Sequence, residues 1–237
     1  MILYYVRHGD PIYDPDSLTE LGHRQAEALS KRFARYGLDE IYSSSSSRAL
    51  FTAQPTAKLL GKDITVFDWA HENHAWKKMT TIKDGKRLWL FHDNELIKML
   101  NSPDVVRMGK NWYDHPDFRG MEYKEYSEYV DEKVDEFLLS LGYEHDRENN
   151  VYKAVKPSGK KVALFAHQGI GMIILSSILD IPYPLFCTHF DLSHSSVTAI
   201  YFDEKGVYVI PKVLQLANDS HLYKEEVNCK YNNMYEV

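Results

Sequence analysis

The sequence predicts an α/β fold: a three-layer α/β/α sandwich with a mostly parallel central sheet. Two patterns support this prediction. Short, continuous apolar runs such as residues 1–6 end at polar turns, which is typical of strands buried on both faces. Such runs alternate with helical patterns, which favours a parallel sheet covered by helices. A length of 237 residues with 44% hydrophobic residues suits one domain with a sizeable core, and we expect a single domain over 1–237.

The first part of the chain shows this alternation most clearly. Leu21, Ala26, Leu29 and Phe33 fall along one helical face, and Gly37 and Gly61 stand where helices are expected to stop. The predicted elements are a strand at 1–6, a helix at 21–36, a strand at 39–43, a helix at 48–60 and a strand at 64–67.

The pattern loosens over about 73–120 and then resumes. Pro182 limits one late helix, and a turn signal at 203–206 separates the last two strands. The later predicted elements are a helix at 123–141, a hairpin-like stretch at 146–161, a strand at 162–166, a helix at 172–179, strands at 197–202 and 207–216, and a loose tail at 228–237.

Two histidines follow predicted strands directly: His8 after the first strand and His167 after the strand at 162–166. Ligands of open α/β sheets bind outside the carboxyl ends of the strands. A neutral imidazole can attack a phosphoryl group. Arg7 and Arg48 lie near strand ends too, and a guanidinium group binds two phosphate oxygens at once. Together these residues predict a phosphoryl-transfer site.

Four ordered blocks of the sequence resemble the histidine phosphatase superfamily, which also contains the cofactor-dependent phosphoglycerate mutases. The blocks are Arg7-His8-Gly9, Leu18-Thr19 with Gly22 and Gln25-Ala26, Ser47-Arg48-Ala49 with Thr52-Ala53, and Phe165-Ala166-His167. The resemblance implies a phosphohistidine intermediate on His8, and a second histidine, His167, that binds the phosphoryl group. It also implies that residues 73–120 are an insertion covering the active site.

The resemblance places a general acid after the strand at 64–67. Glu72 matches best, and Asp68 is the competing candidate. Such a carboxyl group protonates the leaving oxygen and then activates water. Gln168 stands where family members commonly have glycine, and its amide is expected near the phosphate.

Asp10-Pro11 departs from the pattern that phosphoglycerate mutases usually carry after the Arg-His-Gly triplet. We therefore expect a phosphatase that acts on a phosphorylated small molecule. Mutase-type phosphoryl transfer and a catalytically weak phospho-ligand-binding protein remain as alternatives. His71, His74, Trp76, Lys77 and Lys78 are candidates to line the pocket, and His221 is a weaker candidate behind it.

Composition limits the other classes of function. A net charge of -6 argues against a general affinity for nucleic acid or anionic membranes. The two cysteines, Cys187 and Cys229, favour a reducing cytoplasm, and no apolar run approaches a membrane span. His189, His194 and His221 match no zinc spacing, so we expect neither a metal nor another cofactor. The sequence identifies neither the substrate nor the oligomeric state.

Overall fold

The structure, a computed structural model, describes residues 1–231. In that range the strands are β1 Ile2–Arg7, β2 Pro11–Tyr13, β3 Asp16–Leu18, β4 Glu40–Ser44, β5 Ile64–Phe67, β6 Thr80–Lys83, β7 Lys86–Trp89, β8 Tyr143–Asp146, β9 Val151–Ala154, β10 Lys161–Ala166, β11 Val197–Tyr201, β12 Tyr208–Val209 and β13 Lys212–Asn218. The α-helices are α1 Glu20–Tyr36, α2 Ser47–Leu60, α3 Glu72–Lys78, α4 Asn94–Leu100, α5 Pro103–Met108, α6 Tyr123–Ser140, α7 Gly169–Leu179, α8 Tyr183–His189 and α9 Ser220–Lys224. Short 3-10 helices cover Asp68–Ala70, Leu90–His92, Gly109–Asp114 and Pro116–Phe118.

The central sheet is mostly parallel, as the sequence predicts. Its strand order over the described residues is β13–β11–β1–β10–β4–β5. Strands β1, β10, β4 and β5 pair in parallel, whereas β11 runs antiparallel to both of its neighbours, β1 and β13.

The register of the parallel strands brings their carboxyl ends to one edge. Arg7 in β1 lies opposite Ala166 in β10, and Phe165 in β10 lies opposite Ser43 in β4. The residues that follow these strands therefore leave the sheet side by side.

Helices cover both faces of the sheet, because successive side chains of a strand point to opposite sides. Leu3 and Tyr5 of β1 belong to a buried cluster with residues of α6, α7 and α8. Val6 belongs to a second cluster, with residues of α1 and α2. The two clusters are the two helix–sheet interfaces of a three-layer sandwich, which confirms the predicted fold class.

Residues 73–120, where the sequence pattern loosens, contain many short elements. Helices α3, α4 and α5 are six or seven residues long, and β6 and β7 form a hairpin. Trp89, Trp112 and Phe118 bury their side chains in the larger cluster. Helices this short span fewer than two turns, too few for a helical repeat to be recognised in sequence, which explains why no regular pattern was visible there.

Several later elements differ from the sequence prediction. Helix α7 begins at Gly169, earlier than predicted, and α8 was not predicted. The predicted hairpin at 146–161 is formed by β8 and β9, which pair between Tyr143 and Ala154.

The predicted strand at 207–216 is two strands in different sheets: β12 pairs with β9, and β13 pairs with β11. Pro211 lies between them. Proline donates no backbone hydrogen bond and is confined to strand ends and edges, which accounts for the interruption.

The prediction of a loose tail at 228–237 is wrong for its first residues. The carbonyl of Asn228 accepts a hydrogen bond from Nε2 of Gln25 at 3.0 Å, and the carbonyl of Lys230 accepts one from the backbone N–H of His194 at 2.9 Å. Residues 232–237 lie outside the described residues. Among the described helices, none combines the length and apolarity needed to cross a membrane.

Candidate active site

The predicted site residues gather at the edge where β1, β10 and β4 end. His8 and His167 directly follow β1 and β10, and Arg48 lies in the first turn of α2, just after β4. Thr52 connects two of these segments, because its Oγ1 accepts the Gly9 N–H at 2.9 Å and donates to the Arg48 carbonyl at 2.7 Å. These contacts fix the segment after β1 against α2.

His8 is buried, and its Nδ1 lies 2.7 Å from the backbone carbonyl oxygen of Gly9. A carbonyl oxygen can only accept, so Nδ1 carries the proton and Nε2 of the neutral ring keeps its lone pair. Burial lowers the pKa of His8 well below 6.5, and the nearby His167 and Arg7 lower it further. The ring is therefore neutral at pH 7, the form in which an imidazole is nucleophilic.

His167 lies beside His8, with ring centroids 5.1 Å apart. Its Nε2 is 2.8 Å from Oγ of Ser44, whereas Nδ1 is buried without a hydrogen-bond partner among the described residues. Burial lowers the pKa of His167 as well, followed by the effect of Arg48. An unpaired buried ring nitrogen can bind a ligand oxygen, which would satisfy it.

Arg7 is almost completely buried. Its Nη1 donates to the carbonyl oxygen of Leu192, and its Nη2 lies 2.8 Å from Nε2 of His194. These contacts fix the guanidinium group of Arg7 to the loop that precedes β11. That loop was not predicted to take part in the site.

Arg48 lines the same cavity and makes an ion pair with Asp16, at 2.6 Å between Nη1 and Oδ1. The other Asp16 oxygen, Oδ2, accepts the Ser47 N–H at 2.7 Å and the Ser46 hydroxyl at 2.8 Å. Burial acts to raise the pKa of Asp16, but the bonds from Ser46 and Arg48 outweigh it and lower the pKa. Asp16, which was not predicted as a site residue, is thus ionised and occupies the start of α2, where backbone N–H groups favour an anion.

Glu72 is the better placed of the two candidate acids. It lines the cavity, and its two carboxylate oxygens accept the Gly169 and Ile170 N–H groups at the start of α7, both at 2.8 Å. Burial raises the pKa of Glu72, although these backbone bonds oppose the rise. Asp68 has a 78% exposed side chain bonded to Ser45 and His74, and it does not line this cavity.

Gln168 is buried and lines the cavity, and its side-chain amide donates to Oδ1 of Asp191. The following glycine is required by packing: a Cβ on Gly169 would lie 2.2 Å from the ring of Trp89. The glycine that family members commonly have directly after the histidine is replaced here by Gln168. A glycine occurs one position later, at Gly169, where the Trp89 ring leaves no room for a side chain.

The cavity has a volume of about 590 Å³. Its lining residues are Arg7, His8, Tyr13, Asp16, Arg48, His71, Glu72, Asn73, Trp76, Trp89, His92 and Gln168. Of the five residues that the sequence offered as pocket candidates, His71 and Trp76 are in this set. His74 instead bonds Asp68, and Lys78 pairs with Glu122. No cluster of three or more His, Cys, Asp or Glu residues within 1–231 is placed to hold a metal ion.

His194 and His221 lie behind the cavity. The His194 ring stacks on His8, with centroids 5.7 Å apart, and Nε2 of His221 is 2.7 Å from Oγ of Ser195. Ser195 in turn donates its backbone N–H to the His8 carbonyl at 2.9 Å. His221 was predicted to lie behind the pocket, whereas His194 was not. His194 precedes β11, whose amino end meets the carboxyl ends of the parallel strands, and the sequence does not show that β11 runs antiparallel.

Comparisons with known proteins show the family to which this chain belongs. A family model for branch 1 of the histidine phosphatase superfamily matches residues 3–213. A candidate phosphoserine phosphatase from Hydrogenobacter thermophilus is 31% identical over 37% of this chain and 52% of its own length. The chain thus spans about half the length of this curated relative.

Solved structures share the fold at low sequence identity. A mycobacterial glucosyl-3-phosphoglycerate phosphatase matches with a TM-score of 0.58 and 18% identity, covering 90% of this chain and 97% of its own. A phosphoserine phosphatase from Entamoeba histolytica matches with a TM-score of 0.57 and 20% identity, covering 93% of this chain and 98% of its own. Because the family model spans most of the chain, this protein belongs to branch 1 of the histidine phosphatase superfamily.

Proposed function

We propose that this protein is a phosphomonoesterase that hydrolyses a phosphorylated small molecule through a phosphohistidine on Nε2 of His8. The observation that carries the proposal is the bond between Nδ1 of His8 and the Gly9 carbonyl, which leaves Nε2 unprotonated. The similar proteins are named as phosphatases of phosphoserine and of glucosyl-3-phosphoglycerate, which supports a phosphorylated metabolite as the substrate class.

The first step forms the phosphoenzyme. The Nε2 lone pair of His8 attacks phosphorus, the bond from phosphorus to the ester oxygen breaks, and Glu72 gives its proton to the leaving oxygen. Burial supports both roles, because it lowers the pKa of His8 and raises the pKa of Glu72.

The cationic side chains bind the phosphoryl oxygens during this transfer. Arg7 and Arg48 both line the cavity, and the buried Nδ1 of His167 is available to donate to a third oxygen. Gln168 lines the same cavity, and its side-chain amide donates to Oδ1 of Asp191.

The second step regenerates the enzyme. The Glu72 carboxylate takes a proton from water, the water oxygen attacks phosphorus, and the bond to Nε2 of His8 breaks to release inorganic phosphate. The same carboxyl group thus returns to its protonated form, and the cycle needs no further proton donor.

We also propose that the reaction needs no metal ion. The guanidinium groups of Arg7 and Arg48 at one cavity supply the charge stabilisation that a metal would otherwise give. We further propose a cytoplasmic, single-domain enzyme in which residues 73–120 cover the site. The cavity-lining positions of Trp76, Trp89 and His92 support that covering role.

Hydrolysis of p-nitrophenyl phosphate, with and without EDTA, tests the proposal. We expect turnover in both conditions and its loss in the His8→Ala variant. His189→Ala, which removes an exposed histidine, is the matched control and is expected to keep full activity. Activity that survives His8→Ala would overturn the nucleophile, and complete loss in EDTA would overturn the metal-free mechanism.

The same assays separate the two alternatives. A mutase would transfer the phosphoryl group between hydroxyl groups of an acceptor faster than it releases phosphate. A binding protein would retain a phosphorylated ligand without turnover. Release of inorganic phosphate as the main product supports the phosphatase over both.

A further inference from the structure

Asp10, the residue after the Arg7-His8-Gly9 triplet, is buried. It belongs to residues 8–10, which connect β1 to β2 and are here called the catalytic loop. One carboxylate oxygen, Oδ1, lies 3.4 Å from Nδ1 of His194 and 3.0 Å from Nζ of Lys230. The other oxygen, Oδ2, accepts the Thr19 hydroxyl at 2.7 Å. A buried carboxylate is costly unless it is paired, and here Lys230, Thr19 and His194 surround it.

His194 lies between Asp10 and the catalytic groups. On its other side Nε2 faces Nη2 of Arg7 at 2.8 Å, and its ring stacks on His8. A guanidinium group can only donate, so Nε2 of His194 accepts and carries no proton. The proton is then on Nδ1, which lies within ion-pair distance of Oδ1 of Asp10, at 3.4 Å. The three residues form a line from carboxylate to imidazole to guanidinium.

The described C-terminal residues complete this line from outside. The side chain of Lys230 pairs with Asp10, and its backbone carbonyl accepts the backbone N–H of His194. Gln25 adds a third connection: its Oε1 accepts the Asp10 N–H at 2.8 Å, and its Nε2 donates to the Asn228 carbonyl at 3.0 Å. Residues 228–230 therefore contact both the loop that carries His194 and helix α1, which carries Gln25.

We propose that Asp10 and His194 are positioning residues that set the orientation of Arg7 beside His8, and that Lys230 holds Asp10 in place. The inference rests on the proposed function, because Arg7 is assigned there to the phosphoryl oxygens. Asp10 fixes the tautomer of His194, His194 fixes the guanidinium group, and the guanidinium group meets the substrate. Neither Asp10 nor His194 is among the residues lining the cavity.

The first test is the kinetics of p-nitrophenyl phosphate hydrolysis by His194→Leu and His194→Gln. Leucine removes both ring contacts, and we expect a rise in KM and a loss in kcat/KM of about 100-fold, the effect of a misplaced binding group. Glutamine keeps an acceptor for Arg7 and a donor for Asp10, so we expect recovery to within about tenfold of the wild type.

Asp10→Asn and Lys230→Met test the outer part of the line. We expect losses in kcat/KM of about tenfold and about threefold, with raised KM in both. Lys224→Met, at an exposed lysine of the same C-terminal region, is the matched control and is expected to behave as the wild type. If Asp10 and Lys230 had only a structural role, the variants would have a smaller folded fraction, which lowers kcat and leaves KM unchanged. That outcome would overturn the proposal.

A measurement that does not need activity separates this inference from the proposed function. In protein labelled with ¹⁵N-histidine at neutral pH, we expect the shifts of His194 to show protonated Nδ1 and unprotonated Nε2. Asp10→Asn should change those shifts. A protonated Nε2 on His194 would overturn the line of contacts, even in an enzyme that turns over as proposed. If the protein shows the expected His194 tautomer but no turnover, the contacts between Asp10, His194 and Arg7 stand and the phosphatase proposal is rejected.

Discussion

The role proposed for Glu72, protonation of the ester oxygen, depends on the leaving group of the substrate. Its carboxylate oxygens are held by the Gly169 and Ile170 N–H groups, and burial raises its pKa. A raised pKa keeps more of the carboxyl group protonated near neutral pH than in an ordinary glutamate. An alkoxide leaving group needs that proton, whereas a nitrophenolate departs without it.

Glu72→Gln should therefore discriminate between substrates. We expect kcat/KM for alkyl phosphates to fall by about 10²- to 10⁴-fold, the usual contribution of a general acid. For p-nitrophenyl phosphate the fall should be much smaller, because kcat/KM reports the steps up to phosphoenzyme formation. Steady-state kinetics on both substrates measures the difference.

Asp68→Asn is the matched control for this prediction. Asp68 is exposed and bonds Ser45 and His74 outside the cavity, so both substrates should be hydrolysed at close to the wild-type rate. Equal losses on alkyl and aryl phosphates in Glu72→Gln would contradict the role of Glu72 as the acid.

The sequence predicts some residues of the site better than others. His8, Arg7 and His167 were found because each ends or follows an apolar strand whose parallel direction can be inferred from the alternating pattern. His194 was missed because it precedes β11, and nothing in the sequence shows that β11 runs antiparallel. Asp16 was missed because the β2–β3 hairpin that carries it is too short to show a period.

At the scale of elements, the catalytic loop and α1 meet without side chains between them. A Cβ built on Gly22 would lie 2.2 Å from the Asp10 carbonyl oxygen, and one built on Gly9 would lie 2.7 Å from the Gly22 carbonyl oxygen. Thr19 caps α1 at this point by accepting the Gly22 N–H at 3.0 Å. Both glycines are therefore required by the close approach of two backbones.

Gly22→Ala should separate α1 from the catalytic loop. We expect a loss of about 1–3 kcal/mol in the free energy of unfolding, the usual cost of overpacking, together with reduced kcat/KM. Urea unfolding and p-nitrophenyl phosphate hydrolysis measure the two effects. Gly206→Ala is the control, because a Cβ there would make an ordinary 3.4 Å contact with the Tyr208 carbonyl oxygen. Equal stability of the two variants would contradict the close approach.

Elements with local stop signals could be predicted closely from sequence. The helices ending before Gly37 and Gly61 have the predicted C-terminal ends, because both glycines adopt positive φ and allow the chain to leave the helix. The interruption of 207–216 has a signal in the sequence, Pro211, but the sheet that each half joins could not be predicted. The short elements of 73–120 depend in the same way on tertiary packing.

At the scale of the whole molecule, a charged cluster connects α6, β8 and the end of α7. The His145 side chain is shielded from solvent between Asp135 at 2.9 Å and Asp180 at 3.1 Å. Burial acts to lower the pKa of His145, but the bonds to Asp135 and Asp180 outweigh it and raise the pKa above 6.5. The charged form of His145 is therefore favoured by folding.

This shift makes stability depend on pH. Because the folded pKa is raised, the contribution of His145 is complete below pH 6.5 and is lost as pH rises through the folded value. His145→Gln should lower stability at pH 6 by about 3 kcal/mol, the lower end of the cost of breaking a buried ion pair. The difference should shrink at pH 9.

Thermal unfolding of the wild type and His145→Gln at pH 6 and pH 9 measures this effect. His189→Gln, at an exposed histidine, should leave the melting temperature unchanged at both pH values. A difference between the wild type and His145→Gln that is the same at pH 6 and pH 9 would contradict a charged His145 in the fold.

The central claim is that His8 carries the phosphoryl group, and trapping the phosphoenzyme tests it most directly. The wild type and Glu72→Gln are mixed with p-nitrophenyl phosphate, quenched in alkali, and digested for mass spectrometry. We predict a phosphoryl group on His8, accumulating in Glu72→Gln because glutamine cannot take a proton from the attacking water, and its absence in His8→Ala. A phosphoryl group on another residue, or hydrolysis by Glu72→Gln without any phosphoenzyme, would contradict the account.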